Sequence, residues 1–448
     1  MRHDDLQGLR EAKYEWLRTH DVLNTKWNDI EPASPSYFFI PRDTTHQIEY
    51  ETFWKITDAM PVNSTGVLTA RDHFSIDFES DPLKKRVTKF LDSAISDSDI
   101  KDELKLSENY AWRVSNARRE LIKTRNWEGQ IREILYRPFD IRKIIYNPAV
   151  VWRVRSEVMQ HMLNSENLAL ITSRMTKGED FKHAQVSDKL VEVICMSPKT
   201  SNNGFVFPLY LYPTAKTSLF EDSLNSAPDG RCPNIDPEFI AVFSRITGAI
   251  WVFDGQGNVA AASSEGEGEK KAEGIEITFG PEDIFYYAYA VFYSPGYRSR
   301  YAQFLKTDFP RLPITSQRPL FAKLITLGKS LVELHLMRRH APSVCSYPIA
   351  GDNKVEKVSF EADSPNAELG KVSINTTQYF ANVPRAVWTY QIGGYQVAHK
   401  WLKDRKGRLL TFAELQHYSQ VLAALASTTT LQTEIDAVID AAGGWPIL

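Results

Sequence analysis

"ILYRPFDIRKIIYNPAVVWRVRSEVMQHML", residues 134–163, decides how the middle of this chain is read. Between Tyr136 and Arg155, five cations (Arg137, Arg142, Lys143, Arg153, Arg155) meet a single acid, Asp140. They are threaded among Tyr136, Phe139, Tyr146 and Trp152. The string "YRPF" predicts a buried turn with Arg137 paired to Asp140. The 448-residue chain carries a formal net charge of only −3, so any nucleic-acid footprint must be local.

Outward from that stretch, "NLALITSRM", "LVEVICMS" and "NNGFVFPLYLYP" are β-rich runs separated by polar turns. Upstream, "DLQGLREAKYEWLRTH" and "YAWRVSNARRELIKTR" have helical spacing, and "SPSYFFIPR" reads as a short buried strand. "STGVLTARDHFSIDF" alternates like a strand, and "DPLKKRVTKFLDSAI" opens with an Asp cap and Pro at the first helical position. Downstream, "PEDIFYYAYAVFY" is a helix broken at Ser294-Pro295-Gly296, followed by "YRSRYAQFLKTDF", ending at Pro310. "FAKLITLGKSLVELHLMRRH" predicts an amphipathic helix. "KVEKVSFEA" and "GKVSINTTQYF" predict strands, and "YQVAHKWLKDR" and the stretch from Thr411 to Asp440 predict closing helices. Strands and helices do not alternate strictly. The expected fold is therefore α+β, with short, mostly antiparallel strands and packed amphipathic helices in several subdomains.

Length favours more than one subdomain. The expected division is an N-terminal α/β segment 1–130, a central domain 131–345 and a C-terminal strand-plus-helix subdomain 346–448. Asp254 to Gly274, rich in Gly, Ala, Ser and Glu, reads as a mobile loop. Apolar content of 43% supports a packed protein. Three scattered cysteines without a CxxC pair argue against a disulfide frame or structural zinc. No signal-peptide h-region and no membrane-length apolar run is present, so the expected location is the cytoplasm, with no membrane partner.

Catalytic motifs are missing. An adenine methyltransferase needs Asn, Asp or Ser before Pro-Pro and an aromatic, to hold the flipped base. The nearest string, "NPAV" at 147–150, lacks the second proline and the aromatic. A glycine-rich turn for S-adenosylmethionine has one weak candidate, "FDGQGN" at 253–258, which reads as linker. The nuclease-like "EGEK" at 267–270 lies in the same low-complexity stretch. His183, His335 and His340 lack metal-ligand spacing and read as satisfied core or surface histidines. Asp72 and His73, adjacent on an expected strand, should face opposite sides. No catalytic, cofactor-binding or metal residue is assigned.

Two further stretches join the first as cationic and aromatic: "YRSRYAQFLKTDFPRLP" and "HKWLKDRKGR". Lys and Arg that neutralise phosphates supply affinity for DNA, and Arg can read guanine. The candidate DNA-binding residues are Arg142, Lys143, Arg153, Arg155, Arg298, Arg300, Lys400, Lys403 and Arg405. The same charges also suit the wet face of an amphipathic helix or a helix end.

The opening string, with "FVFPLYLYP", "PEDIFYYAYAVFYSPGYRSRYAQFLKTDFPRLPI" and "VWTYQIGGYQVAHKWLKDRKGRLLTFAELQHY", resembles the C-terminal specificity region of Type ISP restriction–modification enzymes. These join a nuclease, a translocase, an adenine-N6 DNA methyltransferase and a target-recognition domain in one polypeptide. The resemblance runs from about "GLREAKYEWL" to "TLQTEIDAVI". Where the family has an Arg-Pro-Arg-like string, this chain has "WRVR" at 152–155, keeping both arginines without the proline. The resemblance implies a sequence-specific double-stranded DNA recognition module, with the opening stretch near a junction with a methyltransferase core. It implies a methyltransferase/translocase polypeptide of the same system as partner. S-adenosylmethionine, ATP and Mg would belong to the domains this chain lacks. A diverged or truncated adenine methyltransferase, or a non-functional remnant of one, is the alternative.

Overall fold

The computed structural model describes all residues except 1, 7, 33–36, 38, 164–165, 200, 214–229, 263–275, 366 and 448. The chain divides into two units, Met1–Tyr50 and Glu51–Leu448. In the first, the strands Arg2–His3 and Asn28–Asp29 pair antiparallel, and the expected helix spans Arg10–Thr19. Most of the expected strand at "SPSYFFIPR" falls outside the described residues.

The second unit is built on small sheets and a helical layer. One four-stranded sheet runs Leu190–Val191, Ile131–Arg137, Asp140–Ile145, Ile76–Asp77, with only the first pair parallel. This sheet takes strands from both sides of residue 130. A second, antiparallel throughout, runs Ser64–Thr65, Phe205–Pro208, Ala169–Thr172, Ala184–Ser187. A third pairs Ser359–Ala362, Leu369–Ser373 and Tyr379–Pro384. The α+β expectation stands.

"STGVLTARDHFSIDF" is not one strand. Its chain leaves the sheet after Thr65, turns through the helix Asp72–Ser75, where Thr69 donates to Asp72, and re-enters at Ile76. Asp72 accepts from the Tyr136 hydroxyl at 2.8 Å, while His73 contacts the Leu104 carbonyl, so the two do part. The next helix starts at Ser80, ahead of the expected Asp cap. It packs with Asp97–Glu103 and Val114–Lys123 around Phe74, Leu83, Val87, Phe90 and Leu121.

The helices Pro281–Tyr293, Arg318–His335 and Phe412–Ala441 form the aromatic centre. A Cβ on Gly328 would overlap the Tyr286 carbonyl, so glycine lets the first two approach closely. Buried His335 ties all three. Thr428 Oγ1 donates to the Ala424 carbonyl, so it accepts from His335 Nε2 at 2.9 Å. His335 Nδ1 then accepts from the Tyr289 hydroxyl at 2.6 Å. Burial holds this imidazole neutral, down to about 3. The helix breaks at Ser294-Pro295-Gly296 as expected, and the same Ser294 restarts it: its Oγ accepts from Tyr297 N at 3.0 Å and caps the helix Pro295–Arg300.

The expected loop at Asp254 to Gly274 is partly ordered. Gly257 N donates to Asp283 at 2.6 Å, Gly255 N to the Tyr210 hydroxyl at 2.9 Å, and Val259–Ala262 is helical with Val259 buried. A buried carboxylate and a buried side chain fix what composition marked as linker. Residues 263–274, including the whole of "EGEK" at 267–270, lie outside the described residues.

Candidate nucleic-acid interface

The opening stretch forms the hairpin Ile131–Arg137 and Asp140–Ile145, turning at Pro138-Phe139 with Phe139 at φ 60°. Arg137 and Asp140 face each other in the ladder, but their side chains do not pair. Arg137 Nη1 lies 2.6 Å from Glu192 Oε2, delivered by the parallel strand Leu190–Val191, and its guanidinium covers the Tyr136 ring. Burial pushes the Glu192 carboxyl up to about 7 despite that partner. The expected Arg137–Asp140 pair is thus replaced, because two other arginines have claimed Asp140.

Asp140, 1% exposed, accepts from Arg142 Nη2 at 2.7 Å and Arg405 Nη2 at 2.9 Å. Burial alone would raise its carboxyl, but the Arg405 and Arg142 guanidiniums hold it below the ordinary carboxylate range. Arg142 also reaches Asp404 at 3.2 Å, which Lys400 meets at 2.5 Å. Glu414, three residues into the helix capped by Thr411, takes Arg405 and Arg408 at 3.6 and 3.1 Å. Arg142, Arg405 and Arg408 all stack on Phe78, at 4.2, 4.8 and 3.9 Å from the ring centre. Two of the three cationic stretches therefore meet each other, through the buried carboxylate of Asp140 and the partly buried one of Asp404. Ions persist in such surroundings only when paired.

The other candidates are dispersed. Lys143 is paired to Glu133 at 2.8 Å and lines a mixed-charge groove of about 440 Å³ with Lys84, Glu128 and Lys189. Arg153 is exposed beside the Trp152 ring and has no carboxylate partner among the described residues. Arg155 sits at φ 56° with Nε buried and Nη1 4.0 Å from Glu157. Arg298 turns inward: Nε donates to the Phe292 carbonyl at 2.7 Å, and the guanidinium lies over Tyr293. Arg300 is half-buried near Tyr301, and Lys403 is exposed.

Sequence patterning alone misses a further cationic surface. "TSRMTKGEDFKH", residues 172–183, places Arg174, Lys177 and Lys182 on one turn, joined by Lys199. Its signal is a lysine-glycine turn just after a β-rich run, diluted by Glu179 and Asp180. His183 and His335 are buried and hydrogen-bonded, and His340 is exposed against Gln420.

The weak motif candidates are occupied internally. Asn147 is buried, donating to Gln130 at 2.5 Å and accepting from Ala149 N at 2.7 Å. The amides of "FDGQGN" are spent on Asp283 and Tyr210, so this turn does not fit S-adenosylmethionine. Among the described residues no helix is long and apolar enough to cross a membrane.

The family described as Type ISP C-terminal specificity domain matches residues 58–433. No curated protein matches the chain. Among solved structures, the fold is similar to a nuclease-deletion mutant of the Type ISP restriction–modification enzyme LlaGI in complex with a DNA substrate mimic. That match has a TM-score of 0.62 and 18% identity over 95% of this chain and 32% of that one. It is also similar to the DrdV–DNA complex (TM-score 0.66, 18% identity, 95% of this chain, 41% of that one). A third is the ATP-dependent Type ISP enzyme LlaBIII bound to DNA (TM-score 0.63, 18% identity, 91% of this chain, 25% of that one). The chain thus spans between 25% and 41% of the length of these proteins.

Proposed function

The chain belongs to the Type ISP C-terminal specificity domain family, and from that premise we propose that it recognises a specific sequence in double-stranded DNA. The observation that carries this is the continuous family match over residues 58–433, supported by a shared fold with enzymes solved on DNA. On this reading it positions the duplex for an adenine-N6 methyltransferase and translocase outside this chain, in the cytoplasm. That polypeptide is its partner and holds the S-adenosylmethionine, ATP and Mg. The internally satisfied turns at Asn147 and Gly257 support leaving the chemistry elsewhere.

Exposure sorts the candidate residues. Arg153 and Lys403 present free cations to solvent, whereas Arg142 and Arg405 hold the scaffold. Phosphate contacts fix register, and base contacts give sequence preference. The test is selection from a random duplex library at about 50–100 mM salt, where nonspecific binding already contributes. Enrichment of one short sequence is expected. Retention of duplexes without any enriched sequence contradicts the specificity.

A further inference from the structure

The turn at Arg174–Lys182 is more elaborately held than its exposure requires. Glu179 accepts from His183 Nε2 at 3.1 Å, Asn202 Nδ2 at 2.8 Å and Ser197 Oγ at 3.0 Å, with Lys199 Nζ at 3.5 Å. Lys182 N points at His183 Nδ1, 3.4 Å away, so His183 is the neutral tautomer donating through Nε2. Asn202, fully buried, also accepts from Lys177 N at 3.0 Å. Gly178 adopts φ 70°, and Lys199 Nζ donates to its carbonyl at 2.7 Å. Gly394 closes the floor, where a Cβ would fall 2.8 Å from Ser197 Oγ.

This scaffold carries cations outward. Arg174, Lys177 and Lys199 are exposed, and Lys182 reaches only the neutral Gln391 amide. The acids nearby are bound loosely to cations: Asp308 by Arg174 and Lys55 at 3.7 and 3.9 Å, Asp180 by Lys306 at 3.6 Å. Six cations thus surround three carboxylates, of which Glu179 is turned inward with its side chain 14% exposed. The Lys177 ammonium has no acceptor among the described residues. A well-held turn whose cations are unpaired, as at Lys177, or tied to neutral groups and loosely placed acids suits a polyanion whose charges are fixed in space.

We propose that the turn Arg174–Lys182, with Lys199, is a phosphate-contacting element for double-stranded DNA, an inference that rests on the chain being a DNA-recognition module. Lys177 and Lys199 contact the backbone. Glu179 is a positioning residue: it sets the turn from below and touches no DNA.

The experiment is a fluorescence-anisotropy salt series on the full chain with a duplex of arbitrary sequence. Lys177→Ala should leave the melting temperature unchanged, and Lys177→Ala/Lys199→Ala, which also gives up the Lys199 contacts with Gly178 and Glu179, should per folded molecule shrink the slope of log affinity against log salt by about 0.9 for each phosphate no longer neutralised. Lys357→Ala, an exposed lysine on the C-terminal side, should leave the slope as it is. An equal drop there would mean generic charge and overturn the proposal. Glu179→Ala removes a negative charge, which by charge alone tightens binding. On this inference the folded variant binds more weakly, and tighter binding removes the positioning role. A wild-type chain that binds no duplex even at low salt sinks the functional reading itself. Binding with an unchanged slope in the double variant sinks only this inference.

Discussion

Asp140 and Glu179 are both carboxylates ringed by basic residues, and they do opposite things with them. Asp140 is 1% exposed and draws Arg142 and Arg405 inward, to side-chain exposures of 12% and 6%. Glu179 draws neutral donors inward (His183, Asn202, Ser197) and leaves Lys199 45% exposed above it. The first site converts a cation-rich sequence into scaffold. The second converts an inconspicuous turn into a cationic surface. What separates them is the depth of the acid and the charge of its donors, neither of which a count along the sequence contains.

The contrast breaks most easily at Arg405. Replacing it with Ala strands Asp140 with Arg142 alone and should cost about 3–5 kcal/mol, the usual penalty for breaking a buried pair. Urea unfolding measures this, and DNA affinity per folded molecule should not change. Phe78→Leu comes next. It removes the ring on which three guanidiniums stack, and a drop in stability of about 1–2 kcal/mol is expected. Stability equal to wild type would mean that the stacking is incidental.

Arg153→Ala should do the reverse of both. Because that side chain is exposed and unpaired, stability should hold within about 0.5 kcal/mol, while the salt slope drops by about 0.9. The smallest effect is local and depends on pH. Burial works to raise Glu179, but hydrogen bonds from His183, Asn202 and Ser197 outweigh it and bring the carboxyl from 4.5 to about 2. A carboxyl lowered in the folded state stabilises fully above pH 4.5, and that contribution fades as the pH falls toward 2. His183, lowered from 6.5 by burial, acts in the same direction, since its neutral form is the folded one. Amide-exchange protection in residues 176–183 should therefore fall as the pH drops from 4.5 toward 2. Protection there that stays constant across that window would mean the carboxyl does not hold the turn.

Local patterns are legible in the sequence, and pairings across long separations are not. Helical spacing foretells Arg10–Thr19, Val114–Lys123, Pro281–Tyr293, Arg318–His335 and Phe412–Ala441, because an apolar stripe is a property of one segment. Asp140 is the acid nearest to Arg137 in sequence and so its expected partner. Glu192, 55 residues on, takes it instead by way of a parallel strand. Arg142 meets Asp404 across 262 residues, a pairing no local pattern reveals. Ser294-Pro295-Gly296 reads as a stop and is one, while Ser before Pro is equally a start, which the Ser294 cap supplies. At Gly257 the composition points to a linker, and the buried Asp283 carboxylate orders it.

Amide hydrogen exchange with and without duplex bears most directly on the claim that the exposed, loosely paired cations meet DNA while the cation-rich hairpin supports the fold. Binding should slow exchange in residues 173–183 and 197–202 and leave the hairpin residues 136–145 unchanged. Protection confined to 136–145, with none at 173–183 or 197–202, would contradict it.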